Sequence, residues 1–160
     1  TPAARESTAR LYDSVRMVRN LRADYNIPSN RKAALIVKPG AGSAPPGGDD
    51  LAVLASLAQA GSIEVDAGYR KRAGTPSVLA PLGEIIMPLD GLIDVAAERA
   101  RLEREIAGTQ SELERNERKL ANEKFVANAP AEVVAEHRER STAFRERLGK
   151  LQGMLESLGG

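Results

Sequence analysis

The stretch 94–158 decides the fold, and it reads DVAAERARLEREIAGTQSELERNERKLANEKFVANAPAEVVAEHRERSTAFRERLGKLQGMLESL. Mostly apolar residues recur in it at alternating steps of three and four, on both sides of an Ala-Asn-Ala-Pro break at 127–130. The recurring positions are Leu102, Ile106, Thr109, Leu113, Asn116 and Leu120, followed by Val134, His137, Ser141, Phe144, Leu148, Leu151, Leu155 and Leu158. This spacing marks the seam along which two helices wind around each other. Because the break is short, the helices must fold back, so the pattern predicts an antiparallel two-helix coiled-coil hairpin.

Charged residues flank this seam with opposite signs on the two helices. In an antiparallel pair, equivalent flanks face each other, so acids of the first helix should meet arginines of the second. The predicted pairs are Glu105 or Glu112 with Arg147 or Arg140, and Glu117 with Arg138. Exposed pairs contribute only ~0.2–1 kcal/mol each, so we expect them to select the orientation rather than to hold the hairpin together.

A turn centred between Phe125 and Ala129 sets the register of the two helices. The predicted neighbours across the seam are Leu102 with Leu155, Ile106 with Leu151, Leu113 with Phe144, Asn116 with Ser141, and Leu120 with His137. The polar layers lie near the turn. We therefore expect the tip of the hairpin to be its less stable end.

Composition limits the classes of function. The 160 residues contain no Cys and one His, carry a formal net charge of +1, and include two Phe, three Tyr and no Trp. Disulfides and a catalytic thiolate are thereby excluded, and a metal site is not expected. No apolar run approaches the ~18 residues of a membrane span and no secretory signal is visible, so we expect a cytoplasmic protein. The first residues are Thr-Pro-Ala, which suggests a fragment of something longer.

The first 30 residues predict one amphipathic helix at 7–25, with an apolar face that contains Arg22. A lone helix of this length cannot bury its apolar face by itself. We expect its main partners upstream, with partial docking on the residues that follow.

Short apolar runs between turn signals predict a small module at 31–91. The expected order is a strand at 33–37, a helix at 51–60 capped by Asp49 and Asp50, and strands at 63–65, 77–80 and 84–87. The predicted fold class is therefore α+β: a small mixed module followed by a projecting hairpin. The expected domains are 1–30, 31–91 and 92–160.

The outward side of the first hairpin helix carries a basic stripe, which we define as Arg101, Arg104, Arg115 and Arg118. Such a stripe could follow a sugar-phosphate backbone without reading bases. A solvated coiled-coil surface would show the same pattern. At the tip, Lys119 and Lys124 accompany Phe125, which we expect to cap the hairpin core.

The other polar features do not predict catalysis or nucleotide binding. His137 occupies a seam position with no nucleophile or paired acid and base nearby, so no catalytic residue is expected. The glycine-rich loop at 40–48 lacks the Lys-Ser/Thr ending of a phosphate-binding loop and precedes two acids, which argues against nucleotide binding. The cluster Tyr69-Arg70-Lys71-Arg72 could meet phosphates, but an exposed basic loop is the commoner explanation.

Three segments resemble the C-terminal region of the valyl-tRNA synthetase family. VRNLRADYNIP at 18–28 resembles the end of that family's anticodon-binding helical domain. PLDGLID at 88–94 with ERARL at 98–102 resembles the start of its coiled-coil arm. KLANEKFV at 119–126, with Ala-Pro at 129–130 and Val-Val at 133–134, resembles the tip of that arm. The unusually Gly/Pro-rich loop at 40–48 and the glycines near the end of the second helix depart from the pattern.

The resemblance implies a class I aminoacyl-tRNA synthetase that joins valine to its tRNA using ATP. It implies that the active site lies in upstream domains of the same chain, so these residues need no cofactor. It also implies that the arm contacts the outer corner of tRNA, where the D and T loops meet. The expected tRNA-binding residues are then Arg101, Arg104, Arg115 and Arg118, with Lys119 and Lys124 as weaker contacts.

Two other classes of function remain open. A structural or protein-interaction hairpin would carry the stripe only as a soluble surface. A ribosomal or translation-factor arm would bind rRNA instead of tRNA.

Overall fold

A computed structural model describes residues 1–159 and confirms a mixed α/β fold. Gly160, the last residue of the expected third domain, lies outside the described residues. The elements in order are α1 (Pro2–Asp24), β1 (Ala33–Lys38), α2 (Gly48–Leu57), β2 (Ala60–Val65), β3 (Ser77–Ala80), β4 (Gly83–Ile86), α3 (Val95–Ala121), α4 (Glu123–Asn128) and α5 (Ala131–Ser157). The chain forms two compact units, one of Thr1–Val95 with Gly159 and one of Ala96–Leu158.

The sheet of the first unit has the strand order β2-β1-β4-β3. Strands β1 and β2 are parallel and are joined through α2, whereas β4 runs antiparallel to both β1 and β3. Strand β4 starts at Gly83, whose φ is +130° and where an added Cβ would lie 2.6 Å from the carbonyl oxygen of Lys38. Only glycine fits this close approach of two strands.

Helix α1 completes the core of the first unit. Leu11, Val15, Val18, Leu21 and Tyr25 are all buried, and α1 packs against α2 and β3. The helix begins at Pro2 instead of residue 7, because the Thr1 hydroxyl accepts a hydrogen bond from the Ala4 N–H and proline suits the first turn. The apolar face of α1 is thus covered within the unit.

Arg22 lies inside this core with 5% of its surface exposed. Its guanidinium donates to the carbonyl oxygens of Pro28 at 2.9 Å, Arg31 at 2.7 Å and Gln59 at 3.4 Å. Burial lowers the pKa of Arg22 from its ordinary value, and the three acceptors offset the cost of removing the charge from water. Arg22 therefore fixes the chain reversal after α1.

The predicted strands are confirmed and their boundaries shift slightly. Helix α2 begins at Gly48, so Asp49 and Asp50 occupy its first turn and do not cap it. The helix also ends at Leu57, short of the predicted residue 60, because Gln59 adopts a left-handed φ of 57°. Such a residue stops a helix and lets β2 start at Ala60.

The second unit contains a short helix that the sequence analysis missed. Helix α3 ends at Ala121, and the Asn122 side chain accepts hydrogen bonds from the Lys124 and Phe125 N–H groups. This cap starts α4, and Pro130 precedes α5. The connection between the long helices is therefore a helical turn of Glu123–Asn128 and not only the break at 127–130.

Residues later in α3 contact residues earlier in α5. Arg99 donates to the Leu158 carbonyl at 3.1 Å, and Asn116 donates to the Ser141 hydroxyl at 2.7 Å. Both contacts fit the predicted register. All fourteen predicted seam residues, from Leu102 to Leu158, are buried or half-buried.

Candidate nucleic-acid interface

A polar layer crosses the seam of the second unit. The Asn116 side-chain amide donates to the Ser141 hydroxyl at 2.7 Å and to the His137 carbonyl at 2.5 Å. Asn116 Oδ1 lies 2.5 Å from His137 Nδ1, and because an amide oxygen can only accept, Nδ1 carries the hydrogen. The layer satisfies all three residues and confirms His137 as a polar seam residue.

Phe125 links this layer to the tip. Its ring meets the His137 ring edge to face, with centroids 5.4 Å apart. The Lys119 ammonium lies 5.2 Å from the centroid of the Phe125 ring, a cation–π contact. Phe125 is half-buried, and its contact with His137 agrees with a place at the end of the predicted seam.

Ion pairs between the helices match the predicted charge pattern in one case of two. Arg147 pairs with Glu105 at 3.2 Å, as predicted. The pairing of Glu117 with Arg138 is wrong, because Glu117 pairs with Arg145. Helical side chains lean towards the N-terminus of their own helix, which in α5 is the turn. The Arg145 side chain therefore leans towards Glu117, whereas the Arg138 side chain leans away from it, towards the turn.

Arg101 is held within the unit and does not point freely to solvent. Its guanidinium pairs with Glu98 and, at 2.5 Å, with Glu105. The pKa of Arg101 is raised, first by its hydrogen bond to Glu98 and despite partial burial. Glu98 is itself buried. Of the predicted site residues, Arg101 is thus the one most engaged by carboxylates.

The other predicted site residues are exposed. Arg104 and Arg115 have no ion pair within the described residues 1–159. The Arg118 side chain is 82% exposed and meets Glu114 only at 3.8 Å. Lys119 contacts Phe125 as described, and Lys124 is exposed at the start of α4. At 100° per residue, Arg104, Arg115 and Arg118 share the side of α3 that faces away from the seam.

A groove between α3 and α5 lies beside the polar layer. It has a volume of about 250 Å³. Its lining residues are Glu112, Arg115, Asn116, Lys119, His137, Arg140 and Phe144. Arg140 was predicted only as an ion-pair partner, and its position on the seam flank of the second helix was the available signal for its place in the groove lining.

The basic cluster of the first unit is largely neutralised. Lys71 pairs with Glu84, and Arg72 pairs with Asp90 at 2.9 Å. Burial would raise the pKa of the Glu84 carboxyl, but hydrogen bonds from Lys71 and Ser77 lower it overall. These pairs favour the interpretation of 69–72 as an exposed basic loop.

Neither a metal site nor a membrane-spanning helix is found in the described part of the chain. No group of three or more His, Cys, Asp or Glu side chains in residues 1–159 is arranged to hold a metal ion. None of the helices in the same residues is long and apolar enough to cross a membrane.

Comparison with known proteins assigns the helical unit to a class of synthetase arms. Residues 94–159 match the family described as the valyl tRNA synthetase tRNA binding arm. This range covers α3, α4 and α5. Residues 94–159 belong to this family, and the resemblance of the chain to valyl-tRNA synthetases, stated from its sequence segments, is confirmed.

Relatives extend the similarity to the sheet unit. The valine–tRNA ligase of Bradyrhizobium diazoefficiens is 39% identical over 98% of this chain and 16% of the relative. Those of Thermotoga maritima and Geobacillus stearothermophilus are each 34% identical over 97% of this chain and over 17% and 18% of the relative, respectively. The chain thus spans less than one fifth of the length of these relatives.

Proposed function

We propose that this chain is the tRNA-binding C-terminal region of an enzyme that uses ATP to attach valine to its tRNA. The observation that carries the proposal is the match of 94–159 to a tRNA-binding arm. The matched helices are those that expose Arg104, Arg115 and Arg118. Catalysis and ATP binding would belong to upstream domains of a cytoplasmic enzyme, and 1–30 would end an anticodon-binding helical domain.

The arm itself would be an antiparallel two-helix coiled coil. The buried seam, the layer of Asn116, Ser141 and His137, and the pair Glu105–Arg147 support this arrangement. A single buried polar layer favours one register over the others, because any shift would leave its polar groups unpaired. A fixed register keeps the spacing of the exposed arginines constant along the arm.

The arm would bind the outer corner of tRNA, where the D and T loops meet, through phosphates. Arg104, Arg115 and Arg118 would make the main contacts, with Lys119 and Lys124 at the tip. Phosphate contacts position a protein on RNA but read no bases. We therefore expect the chain to bind valine tRNA and an unrelated tRNA with similar affinity. Arg101, held by two carboxylates, would contribute less than the other arginines.

The test is binding of valine tRNA to the 160-residue chain over a series of salt concentrations. Affinity should fall as salt rises, because each neutralised phosphate releases about one counterion. The double charge reversal Arg104→Glu and Arg115→Glu should weaken binding and flatten the slope by about two. The reversal of Arg5 and Lys32, two exposed cations of the first unit, changes the net charge equally and serves as the control.

Three outcomes would contradict the proposal. Absence of tRNA binding at low salt would reject binding by this chain and favour a structural or protein-interaction hairpin. Equal weakening by the control reversal would show that net charge, and not the arm, attracts tRNA. Nuclease protection should map to the outer corner, and protection of rRNA instead would favour a ribosomal or translation-factor arm.

A further inference from the structure

We propose that the groove between α3 and α5 is a binding site for a backbone phosphate of RNA, held by Arg115, Lys119 and Arg140. The inference rests on the proposed function, because it assigns a second contact between the same arm and its RNA. It differs from the basic stripe in using α5 as well as α3.

The three cations converge on this one groove from both helices. Arg115 and Lys119 stand four residues apart on α3, and Arg140 comes from α5. All three residues are exposed. Like charges four residues apart destabilise a helix, so this arrangement costs stability unless an anion joins it.

Glu112 is the one carboxylate in the groove lining. Glu105 pairs with Arg147, and one heptad further towards the turn the equivalent pair would be Glu112 with Arg140. Within residues 1–159 no ion pair joins these two side chains, and the groove lies beside both. Three cations therefore face one acid, and the guanidinium of Arg140 keeps its donors available for a ligand.

Two residues that line the groove, and one of its cations, already have partners before any ligand binds. Asn116 and His137 line it, and both are fixed by the polar layer. Phe125 contacts the His137 ring and the Lys119 ammonium. Binding beside fixed residues loses less conformational entropy than binding to a surface that must first become ordered.

A phosphodiester chain suits this surface better than an acidic peptide. Arginine forks donate two hydrogen bonds to a phosphate group. Arg115 belongs both to the groove and to the stripe, which continues along α3 to Arg104. Several cations on one side of α3 can meet successive negative charges of a nucleic-acid backbone.

Four single substitutions separate the groove from the stripe. Arg140→Gln alters the groove only, Arg104→Gln the stripe only, and Arg115→Gln both. Arg138→Gln alters neither and is the matched control, since Arg138 is also an exposed arginine of α5. Far-UV circular dichroism of each variant would verify that the helices remain folded.

We expect Arg140→Gln to weaken tRNA binding about tenfold, the effect of losing one charge-assisted hydrogen bond, and to lower the salt slope by about one. Arg138→Gln should match the unsubstituted chain. Glu112→Gln should tighten binding, because it removes the acid from the groove. Suppose instead that the Arg140→Gln and Arg138→Gln variants bind tRNA with equal affinity. This result would overturn the proposed phosphate site in the groove and leave the proposed function intact.

A second measurement tests the groove without tRNA. Inorganic phosphate should shift the NMR signals of the Asn116 side-chain amide, and Arg140→Gln should abolish the shift. If this shift occurs but tRNA does not bind, the groove stands as a phosphate site and the proposed function fails. A short glutamate peptide that produces the same shift at the same concentration would overturn the assignment to phosphate.

Discussion

Of the eleven largest fully buried side chains in residues 1–159, ten belong to the sheet unit and one, Leu102, to the helical unit. The sheet unit excludes water from Leu35, Leu54 and Ile85 on several sides. The helical unit has only one seam, and Asn116 and Ser141 occupy part of it. The sheet unit thus gains stability from apolar burial, whereas the helical unit fixes a register and leaves most of its side chains to solvent.

The largest expected effect comes from truncating one buried side chain in the core of the sheet unit. Ile85→Ala should destabilise the chain by roughly 3–5 kcal/mol, because a fully buried aliphatic side chain leaves a cavity that packed neighbours cannot fill. Leu113→Ala, at a half-buried seam position, should cost less. Urea unfolding followed by circular dichroism measures both. Equal costs would show that the seam is packed as tightly as the sheet core.

A second comparison uses one glycine from each unit. Gly83→Ala should destabilise the sheet unit by roughly 1–3 kcal/mol, since alanine disfavours φ +130° and its Cβ would meet the Lys38 carbonyl. Gly108→Ala should stabilise α3 by roughly 0.5–1 kcal/mol, because no atom lies within 4 Å of the added Cβ. Thermal unfolding of the two variants should therefore shift in opposite directions, and a shared direction would contradict this account.

The smallest expected loss of stability concerns the polar layer. Asn116→Ala should cost roughly 1–2 kcal/mol, because the His137 and Ser141 groups lose their partner. Adding Ser141→Ala should cost little more, since both substitutions break the same hydrogen bond. A double-mutant cycle followed by helical circular dichroism measures this coupling. Additive costs would show that the Asn116–Ser141 bond contributes nothing to stability.

The seam could be predicted because burial on a helix pair follows sequence spacing directly. Leu102, Asn116 and Ser141 occupy the expected positions and neighbours. Helix α4 does have a sequence signal, since Asn122 before Glu123 is a favourable helix start. The engagement of Arg101 could also have been read from Glu98 and Glu105, three and four residues away on the same helix.

The ion pair of Glu117 and the groove could not be predicted, because both depend on distances that sequence spacing does not contain. The choice of Arg145 over Arg138 as the partner of Glu117 follows from the direction in which side chains lean. The convergence of Lys119 and Arg140 on one groove requires the separation of the two helices as well as their register. A heptad pattern specifies the register alone.

The buried guanidinium of Arg22 has a mechanical consequence for the first unit. It connects α1 to the loop at 28–31 and to the residue that precedes β2. A pull on α1 would therefore be carried into two separate backbone segments at once, and rotation of the helix would have to break three hydrogen bonds together. Helix α1 and the sheet should therefore move as one rigid body. Lysine, with its single ammonium, could not replace Arg22 in holding these segments together.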